Sequence, residues 1–94
     1  MLGQRINELR QSLGWSQVEL AARLSVSKQT VSNWENGNIQ PSVDMLVRLS
    51  KVFNVSTDYL LGLENIPRLS VDGLPPDFVA HLALLIDDYR AAQG

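Results

Sequence analysis

The chain has 94 residues, 45% of them hydrophobic and 19% charged, which suits one small domain with a compact core. It contains no cysteine and a single histidine, His81, so disulfides, thiolate metal sites and a cysteine–histidine nucleophile are excluded by inventory. The net charge of −2 is unevenly distributed. Residues 1–62 carry six basic and five acidic side chains, whereas residues 63–94 carry two basic and five acidic ones. A polyanion would therefore bind the first part of the chain.

Two helices are predicted at the start of the chain. The first ends near Gly14, which suits a left-handed helix end, and its apolar side chains recur at helical spacing: Leu2, Ile6, Leu9 and Leu13. The second should begin at Ser16, because Ser16 and Glu19 have the spacing of a capping box. Its inner face would consist of Leu20, Ala21 and Leu24.

A third helix is predicted between Ser27, which can cap its start, and Gly37, which can end it. Only Val31 and Trp34 in it are large and apolar, and at about 100° per residue they share one side. The opposite side carries polar groups on short or flexible arms: Lys28, Gln29, Ser32 and Asn33. A polar outer face is usually only solvated, so this face alone does not establish a function.

Two further helices, a connector and a C-terminal helix complete the prediction. The fourth helix should follow a cap at Ser42, with an apolar stripe of Met45, Leu46, Leu49, Val52 and Phe53. A short fifth helix, residues 56–61, stops at Gly62. Residues 63–76 hold three of the four prolines, which predicts a connector in residues 63–75 before an amphipathic helix in residues 76–94. The predicted fold is all-α, with a five-helix domain in residues 1–62.

The second and third predicted helices, joined by a tight turn, have the layout of a helix-turn-helix. Ala21 supplies the small side chain that a close helix crossing needs, and Leu24 and Val26 can fill the space beneath the turn. With Val31 and Trp34 anchored inward, the outer face of the third helix is free for recognition.

Residues 5–62 resemble the lambda-repressor-like family of bacterial and phage regulators, of Cro and Xre type. The segments "SQVELAARLSVSKQTVSNWENG" and "PSVDMLVRLSKVFNVSTDYLLG" carry the resemblance. It implies the five-helix fold and a regulator that binds double-stranded DNA. Ser25 departs from the pattern, because it stands in the turn where the family often has glycine. We therefore expect a turn that is strained or differently wound.

The resemblance also implies roles for individual side chains. The outer-face residues Lys28, Gln29, Ser32 and Asn33 would meet base edges in the major groove. Phosphate contacts would come from Thr30 at the edge of that face, Gln17 at the start of the second helix, and Asn36 and Asn38 in the loop. Arg10 and Glu35 would form an ion pair that ties the first helix to the end of the third.

The C-terminal helix carries an apolar stripe at spacings of four, three and four, made of Phe78, Leu82, Leu85 and Tyr89 with Val79 and Ile86 beside it. This stripe packs either on the chain's own helices or against another subunit. We favour a homodimer, because small repressors usually read two half-sites. The alternative is an antitoxin-like or antagonist-controlled regulator whose acidic tail binds a partner protein.

No catalytic, metal or cofactor site is predicted. Asp87 and Asp88 are adjacent and diverge on a helix, and no glycine-rich phosphate loop occurs, so we do not expect an enzyme. The first residues are too polar for a signal peptide, and the stretch "FVAHLALLI" is too short to span a membrane. We expect a cytoplasmic, bacterial or phage-encoded transcriptional regulator that acts as a homodimeric repressor on a palindromic operator.

Overall fold

The computed structural model describes residues 2–94. Within that range the chain forms six α-helices and no strand: α1 (Leu2–Ser12), α2 (Gln17–Leu24), α3 (Lys28–Glu35), α4 (Val43–Phe53), α5 (Thr57–Leu60) and α6 (Pro76–Gln93). The predicted all-α fold, a five-helix arrangement with an additional C-terminal helix, is confirmed.

Serine side chains set the start of four helices. Ser16, Ser27, Ser42 and Ser56 precede α2 to α5, and each Oγ accepts a hydrogen bond from the backbone N–H three residues later. At Ser16 the predicted capping box is complete, because Glu19 also accepts the Ser16 N–H at 3.3 Å. A cap of this kind stabilises a helix by about 1 kcal/mol. The starts of α2 and α3 are therefore fixed locally.

The turn between α2 and α3 passes through Ser25 in the left-handed conformation, with φ 57° and ψ 41°. The Val26 N–H donates to the Ala21 carbonyl at 3.0 Å and closes the end of α2. Because the Cβ of serine is disfavoured there, the conformation costs about 1 kcal/mol relative to glycine. The turn is strained, and it keeps the winding that a glycine would have.

The hydrophobic core lies among α1 to α5. Its buried side chains are Ile6, Leu20, Ala21, Leu24, Val31, Trp34, Leu49, Phe53, Val55 and Leu60. Helix α3 packs against both α1 and α2 through its inner pair, Val31 and Trp34. Its orientation is therefore set from two sides, while α6 contributes no buried side chain.

Helix α1 comes very close to the end of α3 at Gly3. A Cβ at this position would lie 2.9 Å from the carbonyl oxygen of Glu35 and closer still to that of Trp34. Both neighbours are backbone atoms, so a side chain would force the helices apart. The sequence did not indicate this role, since a single glycine inside a helical pattern has several explanations.

Glu35, the last residue of α3, is bonded to both α1 and α2. Arg10 donates to it twice, from Nε to Oε2 at 2.7 Å and from Nη2 to Oε1 at 3.0 Å, which confirms the predicted ion pair. Asn7 Nδ2 and Gln17 Nε2 donate to Oε1 at 2.8 and 3.1 Å. Arg10 Nη1 also donates to the Trp15 carbonyl at 2.8 Å. One carboxylate thus joins three helices.

The ion pair is nearly buried, since only 4% of the Glu35 side chain and 12% of the Arg10 side chain are exposed to solvent. Burial alone would raise the pKa of Glu35, but hydrogen bonds from Arg10, Asn7 and Gln17 and the charge of Arg10 lower it below its ordinary value. The pKa of Arg10 is raised, chiefly by its hydrogen bond to Glu35, although burial acts in the opposite direction. Both groups are therefore charged at neutral pH.

Glu35→Gln should lower the free energy of unfolding at pH 7 by about 3 kcal/mol, because it removes one partner of a buried ion pair. The folded-state pKa of Glu35 is depressed, so its contribution is present above about pH 4.3, the ordinary carboxyl value, and is lost as the pH falls through the lower folded value. The difference between the two proteins should therefore shrink by pH 3. Urea unfolding at pH 7, 5 and 3 measures it.

Glu64→Gln is the matched control, since Glu64 pairs with Arg68 at 2.8 Å on the surface, where 74% of the arginine side chain is exposed. Its effect at pH 7 should be below about 1 kcal/mol. Equal losses in the two variants would show that the Glu35 cluster does not behave as a buried pair.

Candidate nucleic-acid interface

The outer face of α3 points away from the core, because the inner face is buried against it. Val31 is completely buried and Trp34 is 4% exposed. On the other side Lys28 and Gln29 are exposed, while Ser32 and Asn33 are half-buried. The burial of Val31 and Trp34 thus fixes the orientation of the polar face on this second helix of the helix-turn-helix.

The structure brings most of the predicted DNA-binding residues together. Lys28, Gln29, Thr30, Ser32 and Asn33 all belong to α3, and Asn36 is its C-cap. Asn38 follows in the loop, and its backbone N–H donates to the Asn33 carbonyl at 2.9 Å. The loop therefore folds back on the end of α3, which places Asn36 and Asn38 beside the helix.

Several of these side chains bond to one another. Gln29 Nε2 donates to Asn33 Oδ1 at 3.1 Å, and Asn36 Nδ2 lies 3.4 Å from the Ser32 hydroxyl that accepts from it. The Thr30 hydroxyl lies 2.9 Å from the hydroxyl of the N-cap, Ser27. These bonds order the polar face before any ligand arrives.

Gln17 comes from α2 and is half-buried, with one amide hydrogen donated to Glu35. The second hydrogen on its Nε2 is not needed for that bond. The backbone N–H groups in the first turn of α2 also have no partner within the helix, as at any helix start. Gln17 therefore joins the predicted interface to the cluster around Glu35, and its phosphate contact stays a prediction.

The predicted interface carries little positive charge. Lys28 is the only lysine or arginine in residues 24–47. Glu35 lies close by in the sequence, but its charge is balanced by Arg10. The arrangement can offer hydrogen-bond donors and acceptors at fixed positions, and it does so with few charged groups.

The predicted dimerisation residues lie on a helix that is largely open to solvent. Phe78, Leu85, Ile86 and Tyr89 are exposed, and Val79 and Leu82 are half-buried. Among the residues of α6 none is buried. Most of the stripe is therefore open to solvent.

Two features of the site were missed from the sequence, Gly3 and Asn7. Asn7 lies three residues before Arg10, so the two share one face of α1, and that spacing could have identified Asn7 as a second donor to Glu35. In residues 2–94 no group of three or more acidic or histidine side chains could hold a metal ion. No helix in the same range is long and apolar enough to cross a membrane.

The sequence matches the helix-turn-helix family over residues 6–60. The HTH-type transcriptional regulator ImmR of Bacillus subtilis (strain 168) is 42% identical over 67 residues, which cover 71% of this chain and 53% of ImmR. The chain spans about half the length of these two curated relatives, ImmR and the regulator YonR from the SPbeta prophage of the same strain. These relatives are named as transcriptional regulators, in agreement with the prediction that the chain is not an enzyme.

Solved structures of helix-turn-helix regulators are also similar to this chain. The c2 repressor of Salmonella phage P22, in complex with a synthetic operator, has a TM-score of 0.62 and 35% identity, covering 64% of this chain and 91% of that chain. A chain of the SinR–SinI protein complex has a TM-score of 0.61 and 28% identity, covering 98% of this chain and 99% of that chain. The chain belongs to the helix-turn-helix family and is lambda-repressor-like, of the Cro and Xre type.

Proposed function

We propose that this chain is a sequence-specific, double-stranded DNA-binding transcriptional regulator, and that it acts as a homodimeric repressor on a palindromic operator. The observation that carries the proposal is the polar outer face of α3, fixed by Val31 and Trp34 and free of the core. The P22 c2 repressor and SinR, both solved in complexes with DNA, support it by similarity.

In this proposal α3 enters the major groove, which is wide enough for a helix. Lys28 is suited to the two acceptors of guanine, and Gln29 or Asn33 can bond the N6 and N7 atoms of adenine together. Ser32 can donate to or accept from either type of base edge. Base discrimination then depends on side chains that contribute almost nothing to the core.

Phosphate contacts fix the register of the helix in the groove. Gln17 and the first turn of α2 would bind one phosphate, as anions bind at helix N-termini. Thr30, Asn36 and Asn38 would bind others through neutral donors. Because these groups lie at both ends of α3, they would hold the helix at its two ends.

A homodimer would place a second α3 about 34–36 Å away, one turn of DNA along the operator. The exposed stripe on α6 is the surface that we assign to this contact, because large apolar patches are rarely left in water. A second candidate is that the tail binds a partner protein. This second candidate is supported by the similarity to a chain of the SinR–SinI complex, because the match covers 98% of this chain and so includes α6.

Gln29→Ala and Asn33→Ala should each relax the preference at one or two base pairs, at a cost of about 1–3 kcal/mol per lost bidentate contact. Stability should hardly change, because neither side chain is part of the core. Selection of DNA from a random pool gives the operator, and titration of single-base variants gives the preferences. Gln4→Ala, an exposed amide on α1, is the matched control and should change neither property. Unfolding midpoints that fall together with affinity would mean that these residues are structural.

The binding constant should depend weakly on salt, because Lys28 is the only lysine or arginine in residues 24–47 and few counterions are released. We expect a slope of log K against log salt shallower than about −10, the value for a repressor with many phosphate contacts. Asn38→Lys should steepen the slope by about 1 per subunit. A wild-type slope near −10, measured by titration at several salt concentrations, would contradict neutral phosphate contacts.

Leu82→Asp, or truncation after Leu74, should give a folded monomer with much weaker operator binding if α6 forms the dimer contact. The domain should stay folded, because every buried hydrophobic side chain lies between Ile6 and Leu60. Leu84→Asp is the matched control, since Leu84 is exposed on the same helix but lies off the stripe. Sedimentation and DNA titration measure both properties. A truncated chain that stays dimeric with unchanged affinity would exclude the α6 contact and favour the partner-binding alternative.

A further inference from the structure

One hydrogen bond on the outer face of α3 bears on how the proposed interface would read a base. Gln29 Nε2 donates to Asn33 Oδ1 at 3.1 Å, across one turn of the helix. An amide oxygen can accept two hydrogen bonds, so Oδ1 keeps one acceptor position. Within residues 2–94 the Asn33 amide nitrogen has no partner, and both of its hydrogens are available.

The backbone of Asn33 is held independently of that bond. Its carbonyl oxygen accepts from the N–H of Asn38 at 2.9 Å and from the N–H of Ile39 at 3.3 Å. The freedom that remains is in the side chain, whose terminal amide has a broad, two-fold preference in asparagine. While Gln29 donates through Nε2, as it does here, the Asn33 amide keeps one orientation, because Oδ1 can accept that hydrogen and Nδ2 cannot.

The order of the two amide atoms decides which base asparagine can bind with both. Adenine presents the N6 donor and the N7 acceptor side by side in the major groove. The asparagine amide bonds both atoms when Oδ1 faces the N6 hydrogen and Nδ2 faces N7. A reversed amide would place Nδ2 against the N6 donor and Oδ1 against the N7 acceptor, and neither bond could form. An amide that is already held in one order also loses less side-chain entropy on binding.

We propose that Gln29 is a positioning residue for Asn33, and that it holds the Asn33 amide in the order that recognises adenine. The two residues then read that base pair as a unit. The inference rests on the proposed function. Other outer-face side chains are not placed for this role: Ser32 is bonded to Asn36, and Lys28 has no hydrogen-bond partner in the described part of the chain.

Affinities for operators that differ at one base pair test the proposal. Asn33→Ala identifies the base pair that Asn33 reads, as the one whose preference disappears. Gln29→Met, which keeps the length of the side chain but cannot donate, should weaken the adenine preference at that same pair by about tenfold. Gln29→Glu should abolish it, because a carboxylate attracts Nδ2 in place of Oδ1 and reverses the amide.

Lys28→Met is the matched control, since Lys28 lies in the same turn of α3 without a bond to Asn33. It should lower the overall affinity and leave the preference at the Asn33 base pair unchanged. Unfolding midpoints of all four variants should match the wild type, which separates positioning from a general loss of structure.

Wild-type preference at the Asn33 base pair in both Gln29 variants would overturn the inference and leave the proposed function intact. The same holds if Asn33→Ala removes no preference at any base pair. A wild-type protein that binds all DNA sequences equally would instead overturn the proposed function, and the inference with it.

Discussion

Glu35 closes α3 and accepts hydrogen bonds from side chains of α1 and α2, with only 4% of its own side chain exposed. A nearly buried carboxylate without these partners would be costly, so α1, α2 and α3 can meet only where Arg10, Asn7 and Gln17 reach it. The backbone of α1 at Gly3 also lies so close to the end of α3 that the two helices fit together only without a side chain there. The direction of the outer face of α3 follows from this meeting point.

Gln17 links this constraint to the proposed recognition of DNA. Its amide is bonded to Glu35, and its position at the start of α2 is also where a phosphate would bind. In the proposed complex, Gln17, which would bind a DNA phosphate, is thus a direct neighbour of Glu35, which fixes the end of α3. A phosphate contact of this kind would set the depth of α3 in the groove as well as add affinity.

The proposed interface relies on hydrogen-bond geometry more than on charge. Because Lys28 is the only lysine or arginine in residues 24–47, the interface gains little from counterion release, which acts on every DNA sequence alike. The bonds within the outer face, such as that from Gln29 to Asn33, hold the donors and acceptors in a defined pattern. In the proposed function, helix α6 would supply the surface that joins two copies or binds a partner, and it has no buried side chain.

The sequence by itself determined the helices, the starts of α2 to α5 and the glycine stops after α1, α3 and α5, because serine caps, the capping box at Ser16 and glycines act within four or five residues. It also determined which face of α3 is polar, since a helical repeat separates Val31 and Trp34 from the outer side chains. Only the tertiary structure decided the rest. Gly3 and Asn7 contact residues about 30 positions away. The spacing of Asn7 and Arg10 shows that they share a face of α1, but the position of Glu35 beside that face comes only from the packing of α3. The orientation of Gln17 toward Glu35 depends in the same way on how three helices pack, since a side chain's partner is fixed only when its neighbours in space are known.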